Sequence, residues 1–302
     1  MAAGKGTRMK SARPKVLHTL AGRSLLQHVL NAVAGLGADR TLVIVGYGAE
    51  AVRTQVAEHG ALGVLQEPQL GTGHAVQQAV PHLPDAGTTL ILNGDVPMIE
   101  ADTAAALVAA CGGTKLALLT VELSDPTGYG RIVRDPGQGD AVKAIVEHKD
   151  ASAAQRAIRE VYTGMLAAPT AWLKRSVMSL KNDNAQREYY LTDIVAIAEG
   201  ERLPVLAVPA HDETEVAGVN SAAELAGLER RLQRRQAEAL MEAHGVRFAD
   251  PARFDLRGTL ACGRDVFIDV GCVFEGDVVL GDEVTIGAHC VIRNARIDSG
   301  AL

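Results

Sequence analysis

Short, continuously apolar runs recur through the first two thirds of the chain. Each is followed by a stretch in which apolar side chains return every third or fourth position. Thr41-Leu42-Val43-Ile44-Val45-Gly46 and Thr89-Leu90-Ile91-Leu92-Asn93-Gly94 are runs of the first kind, as are residues 115–123, 161–168 and 203–208. Runs of this length with no polar alternation mark strands covered on both faces. Residues 25–33, 75–80 and 103–110 carry the helical spacing. Strands alternating with helices predict an α/β domain over residues 1–220, built on a mostly parallel sheet. Ligands of such sheets sit at the carboxyl ends of the strands. Gly94-Asp95-Val96-Pro97 falls at one of those ends.

The pattern then changes twice. Leu225, Leu228, Leu232, Leu240 and Met241 form one helical stripe among Glu, Arg and Gln, which predicts a connecting helix over residues 221–245. In residues 246–302 the period becomes six. Ile268, Phe274, Leu280, Ile286 and Ile292 are in phase, with small or β-branched residues four positions after each of the first four: Cys272, Val278, Val284 and Cys290. Hexapeptide periodicity predicts a β-helix, each side of a triangular coil using one repeat. Five hexads make fewer than two coils, and the sequence given stops in mid-repeat.

Composition narrows the class. Aromatics are 3% of the chain, Trp172 is its one tryptophan and the net charge is −6, which together argue against a nucleic-acid binder. Arg230, Arg231, Arg234 and Arg235 are interleaved with Glu229 and Glu238 and read as a solvated helix face. The four cysteines form no C-x-x-C pair, no signal segment opens the chain, and no apolar run approaches the ~20 residues of a membrane span. The expectation is a soluble cytoplasmic protein without membrane insertion.

The candidate chemistry begins at the first residue. In Met1-Ala2-Ala3-Gly4-Lys5-Gly6-Thr7-Arg8-Met9, two glycines one residue apart let backbone N–H groups close on an anion. Lys5, Arg8 and Lys15 add cations suited to a polyphosphate. Asp95 ends an apolar run, where a carboxylate needs a partner, a metal or a helix N-terminus to cap.

These motifs resemble the bacterial bifunctional N-acetylglucosamine-1-phosphate uridyltransferase/glucosamine-1-phosphate acetyltransferase family. The resemblance also rests on residues 14–22 (PKVLHTLAG), 69–75 (QLGTGHA), 94–97 (GDVP), 125–131 (DPTGYGR), 145–150 (IVEHKD), 188–193 (EYYLTD) and 218–220 (GVN). It implies a Rossmann-like nucleotide-diphospho-sugar transferase domain followed by a helical arm and a left-handed β-helix. The implied reaction is uridylyl transfer from UTP to N-acetylglucosamine-1-phosphate. By the same resemblance Ala2, Ala3 and Gly4 hold the nucleotide, while Arg8 and Lys15 take up charge on the leaving pyrophosphate. Gln66, Gly71 and Thr72 read uracil; Gly130, Glu147, Tyr162 and Thr192 bind the sugar; Asp95 and Asn220 hold Mg²⁺. The full-length family forms a homotrimer through the β-helix.

Three departures carry expectations. The family has an apolar strand directly before Ala2; its loss would leave backbone groups unpaired on both neighbouring strands, and a misplaced start codon or an incomplete sequence is the expected cause. The acetyl-transfer histidine and acetyl-coenzyme A contacts fall beyond Leu302. Tyr162 stands where the family usually has asparagine, so a phenol is expected to weaken the sugar-phosphate contact relative to an amide. Two other readings stay open on sequence: a sugar-1-phosphate nucleotidyltransferase of different substrate, and a non-catalytic nucleotide-binding or assembly protein.

Overall fold

The computed structural model describes residues 1–135, 137, 141–184 and 186–302. They form two bodies, Met1–Leu17 with Leu25–Gly218 and His18–Ser24 with Val219–Leu302.

In the first body the ten-residue strand Glu160–Pro169 serves three neighbours. It runs antiparallel to Leu116–Glu122, to Thr88–Ile91 through its second half, and to Gly130–Asp135 at its start. Val205–Pro209 lies parallel to Leu116–Glu122, and Ala141–Val146 pairs antiparallel with Gly130–Asp135. Four of these six strands therefore share one direction, with Glu160–Pro169 and Ala141–Val146 reversed. A second parallel pair, Leu42–Val45 with Leu62–Leu65, is reached through the first residues. Ala2 bridges Val45 and donates its N–H to Ile44 O at 2.8 Å, while Gly94 N–H donates to Met1 O at 2.8 Å.

The apolar runs are explained by double coverage. Leu116 and Leu118 pack with Trp172, Leu173 and Ile194, from the helices Thr170–Met178 and Ile194–Gly200. Ala117, Leu119 and Val121 pack on the other face with Leu107 and Cys111 of the helix Ala101–Cys111. Successive residues thus meet apolar neighbours on opposite sides of the sheet. Two of the strands that hydrophobic pattern misses have a wet face: Leu62 and Leu65 are exposed, and Ala141–Val146 alternates exposed with covered positions.

In the second body the helix Ala222–His244 starts at Ser221, whose side chain accepts from Glu224 N–H, and stops at the left-handed Gly245. Parallel strands then stack with partners eighteen positions apart, Phe254 on Cys272 and Phe274 on Ile292. Eighteen is three hexads, one turn of coil. Ile268, Cys272, Phe274, Val278, Leu280, Val284 and Ile286 are all buried inside. On the outside Arg257 and Arg293 flank Glu275, and the two guanidinium groups hold its carboxyl below the usual range.

One buried residue breaks the helical stripe. Gln233 accepts from Leu256 N–H at 2.6 Å and donates to Leu256 O at 3.1 Å, completing the unpaired side of the first coil strand. Glu229, one turn earlier, accepts from Ala21 N–H at 2.9 Å and so holds the two-stranded ribbon within His18–Ser24. Gln233→Leu leaves two buried backbone groups without partners, at about 1–3 kcal/mol each. Thermal unfolding is expected to show a midpoint lower by several degrees; an unchanged midpoint would contradict this role for the amide.

Candidate active site

The glycine loop begins at Gly4, two residues after the Ala2 bridge to Val45. Gly6 is left-handed at φ 61°, and Thr7–Met9 closes a 3₁₀ turn with Met9 N–H on Gly6 O at 3.0 Å. Gly6 is required here because a Cβ would lie 2.7 Å from Lys15 Cβ. Ala2 and Ala3 are buried, so they offer backbone rather than side chains to a ligand. Lys15 is drawn under the loop and forms an ion pair with Asp95. Loop cation and strand-end carboxylate, eighty positions apart in sequence, are thereby side by side. Arg8 is exposed and makes no ion pair among the described residues.

Asp95 follows Gly94, whose N–H is held by Met1 O. The carboxylate is a hard oxygen donor beside a phosphate loop, and no cluster of three His, Cys, Asp or Glu suited to a metal occurs among the described residues. That donor set fits magnesium, which binds through one or two carboxylates and completes its shell with phosphate oxygens and water. Asn220 belongs to the second body, where its N–H donates to Glu224 Oε2 at 2.6 Å at the head of the long helix. Its metal role rests on the resemblance alone.

Gln66 is buried, and its amide is already committed on one side. Nε2 lies 3.0 Å from Gly71 O and 3.2 Å from His74 Nδ1. The side-chain carbonyl oxygen is left as the acceptor that the amide can turn toward a ligand. Gly71 is glycine for a non-local reason: at φ 104°, a Cβ would lie 2.7 Å from Tyr189 O. Gly73 N–H donates to that same carbonyl at 2.7 Å, and Thr72 Oγ1 accepts from Leu191 N–H at 3.1 Å. The Gly71–Thr72–Gly73 turn is therefore stitched to residues 189–191, directly before Thr192.

Thr192 Oγ1 donates to Glu147 Oε1 at 3.2 Å. A Cβ on Gly130 would lie 3.7 Å from both Glu147 carboxylate oxygens and 2.8 Å from Ile145 Cγ2, so glycine keeps that approach open. Gly130 pairs in register with Tyr162. Burial pushes the Glu147 carboxyl above the usual range against the Thr192 hydrogen bond, with Asp150, Asp193 and Glu188 adding repulsion. Tyr162 packs in the core, and its hydroxyl has no hydrogen-bond partner among the described residues. Burial and the Glu147 charge push that phenol far up. Gly130, Glu147, Tyr162 and Thr192 thus converge.

Sequence reasoning did not anticipate the backbone of Glu188 and Tyr189 as the seat of Gly71, nor His74 as the partner of Gln66. The pairing of two motif segments would have been the signal, and a single sequence does not show it. Asn93 was passed over in the same way; its Nδ2 donates to Thr163 O at 3.3 Å, beside Tyr162.

A phosphate-type glycine loop, a lysine–aspartate pair at a strand end and a second polar cluster together define a nucleotidyltransferase. Residues 1–245 match the MobA-like NTP transferase domain, and the chain belongs to that family. Residues 262–294 match the bacterial transferase hexapeptide family (six repeats). The whole chain is 70% identical to bifunctional protein GlmU of Methylibium petroleiphilum and 59% identical to that of Paracidovorax citrulli, covering 66% of each. Over 99% of the chain it is 57% identical to the Thiobacillus denitrificans protein of the same name, covering 65% of it. The chain thus spans just under two thirds of these relatives. No helix among the described residues is long and apolar enough to cross a membrane.

Proposed function

We propose that the chain transfers a uridylyl group from UTP to N-acetylglucosamine-1-phosphate, giving UDP-N-acetylglucosamine and pyrophosphate in the cytoplasm. The observation that carries this reading is the Lys15–Asp95 pair beneath the Gly4–Gly6 loop. A sugar-phosphate oxygen attacks the α-phosphorus; the bond to the bridging oxygen breaks, and its electron pair leaves with pyrophosphate. Such transfers depend on positioning and charge neutralisation, not on a covalent nucleophile. Loop N–H groups and Lys15 bind the triphosphate, and Arg8 swings from its exposed position onto the leaving group. Magnesium, held through Asp95, would supply further neutralisation of the phosphates. Gln66 Oε1 accepts from the base, and Glu147 with Thr192 fixes the sugar. Acetyl transfer is assigned to no residue of this chain, and trimer assembly through the coils is proposed for the longer protein.

The test is a substrate panel, reading pyrophosphate release for five nucleoside triphosphates against several sugar-1-phosphates. UTP with N-acetylglucosamine-1-phosphate should exceed every other pair. Preference for another pair would reassign the substrate within the nucleotidyltransferases; silence throughout would favour the non-catalytic reading.

Tyr162 provides a sharper check on the sugar side. Its buried hydroxyl is a donor awaiting an acceptor, so Tyr162→Phe should raise the sugar-phosphate KM about tenfold and leave the UTP KM unchanged. The same change removes an unsatisfied buried group and should raise the thermal midpoint of the free protein. Tyr162→Asn is a poorer probe, because truncating a buried ring costs about 3–5 kcal/mol. An unchanged sugar-phosphate KM in Tyr162→Phe would remove the hydroxyl from the subsite.

A further inference from the structure

Directly after the strand Leu42–Val45 the chain makes a Gly46-Tyr47-Gly48 turn against the phosphate loop. Both glycines are needed for the approach. A Cβ on Gly46 would lie 2.7 Å from Ala3 O, and one on the left-handed Gly48 would run into Pro14. Tyr47 then meets the loop in three places. Its N–H donates to Ala3 O at 3.2 Å where the loop begins. Its ring lies beneath the Lys5 ammonium, 5.7 Å from Nζ to the ring centre. Its hydroxyl donates to Ala12 O at 3.3 Å where the loop ends. Between those points the loop is largely exposed, with Met9 alone buried.

We infer that Tyr47 is a positioning residue for the phosphate loop, clamping both of its limbs and holding Lys5 at its mouth. The inference rests on the proposed nucleotide reading for its consequence, though not for the clamp itself. An exposed glycine loop must lose backbone freedom to bind an anion, and each ordered residue opposes binding. A side chain that orders the loop beforehand lowers that cost and tightens nucleotide affinity. Ring and hydroxyl act separately: the cation–π contact orients Lys5, and the hydroxyl closes the far limb.

Tyr47→Phe keeps the ring and removes the hydroxyl; Tyr47→Leu removes both. The expected result is a UTP KM, measured with Mg²⁺, raised about threefold in Tyr47→Phe and about tenfold in Tyr47→Leu, with the sugar-phosphate KM unchanged in both. Trypsin nicking of the free proteins after Lys5, Arg8 and Lys10 should accelerate in the same order, at thermal midpoints close to wild type. Equal UTP KM and equal nicking in all three proteins would overturn the inference. Parallel losses for both substrates with a lowered midpoint would overturn it too, in favour of a general packing role. If wild type itself neither binds nor turns over UTP, the nucleotide reading fails, and the nicking rates alone decide whether Tyr47 orders the loop.

Discussion

Asp95→Asn is expected to reduce pyrophosphate release about a thousandfold, the size of effect seen when a preorganised charge is removed from a developing phosphate transition state. The side chain keeps its shape but loses the negative charge that pairs with Lys15 and, on the proposed reading, would hold magnesium. Lys15 is mostly buried, so the variant also leaves a cation without its counter-ion. A modest fall in thermal midpoint should therefore accompany the loss of rate. Sugar-phosphate binding should be retained, because Glu147, Thr192 and Gly130 form a separate cluster. Raising the Mg²⁺ concentration should recover little activity, since the amide oxygen is a weaker ligand than the carboxylate. Turnover within a fewfold of wild type would remove Asp95 from the metal site.

Glu147→Gln should lower kcat/KM for the sugar phosphate about a hundredfold, as expected for losing a charged hydrogen-bond acceptor, and leave UTP binding untouched. Its pH behaviour follows from the raised carboxyl. The acceptor form is the carboxylate, and burial makes it protonate at higher pH than an ordinary glutamate, whose value is 4.5. Wild-type kcat/KM for the sugar phosphate should therefore fall on the acid side before an ordinary carboxylate would titrate, and the Gln variant should lack that limb. Stability carries the opposite sign. A folded carboxyl raised above its unfolded value favours the native state while protonated, and this contribution is lost as pH rises through the raised value. The Gln variant should melt higher than wild type near neutral pH, with the gap closing below the ordinary carboxylate range. A wild-type profile that keeps the same acid limb in Glu147→Gln would assign the titration to another group, with Asp193 the nearest candidate because its carboxyl is also raised.

How much of this was legible in sequence depends on the range of the interaction involved. Leu116–Glu122 was readable because double coverage writes itself as an unbroken apolar run. The coils were readable because a repeat of six places Ile268, Phe274, Leu280 and Ile286 on one interior. The glycine loop was readable because Gly6 answers a local need for positive φ. The rest is set by contacts that no local pattern encodes. Gly71 is glycine because Tyr189 O comes close, and the open side of Gln66 is decided by where Gly71 and His74 stand. Lys15 was readable as a cation beside the glycine loop, but its pairing with Asp95 is set by the sheet, eighty positions away. Gln233 fell in an apolar stripe, and only the edge of the first coil explains a buried amide there. Tyr162 stands in register with Gly130 beside Glu147 and Thr192, whereas the burial of its ring is a property of the packed core that no local pattern encodes.

The central claim is that the nucleotide's α-phosphate, together with its uridine, ends on the sugar phosphate. UTP labelled at the α-phosphorus, incubated with the purified chain, N-acetylglucosamine-1-phosphate and Mg²⁺, tests this in one step. The label should appear in UDP-N-acetylglucosamine with an equal yield of unlabelled pyrophosphate, and adding excess pyrophosphate should drive it back into UTP. Label that remains in UTP, or that leaves as UMP without joining the sugar phosphate, would contradict the account.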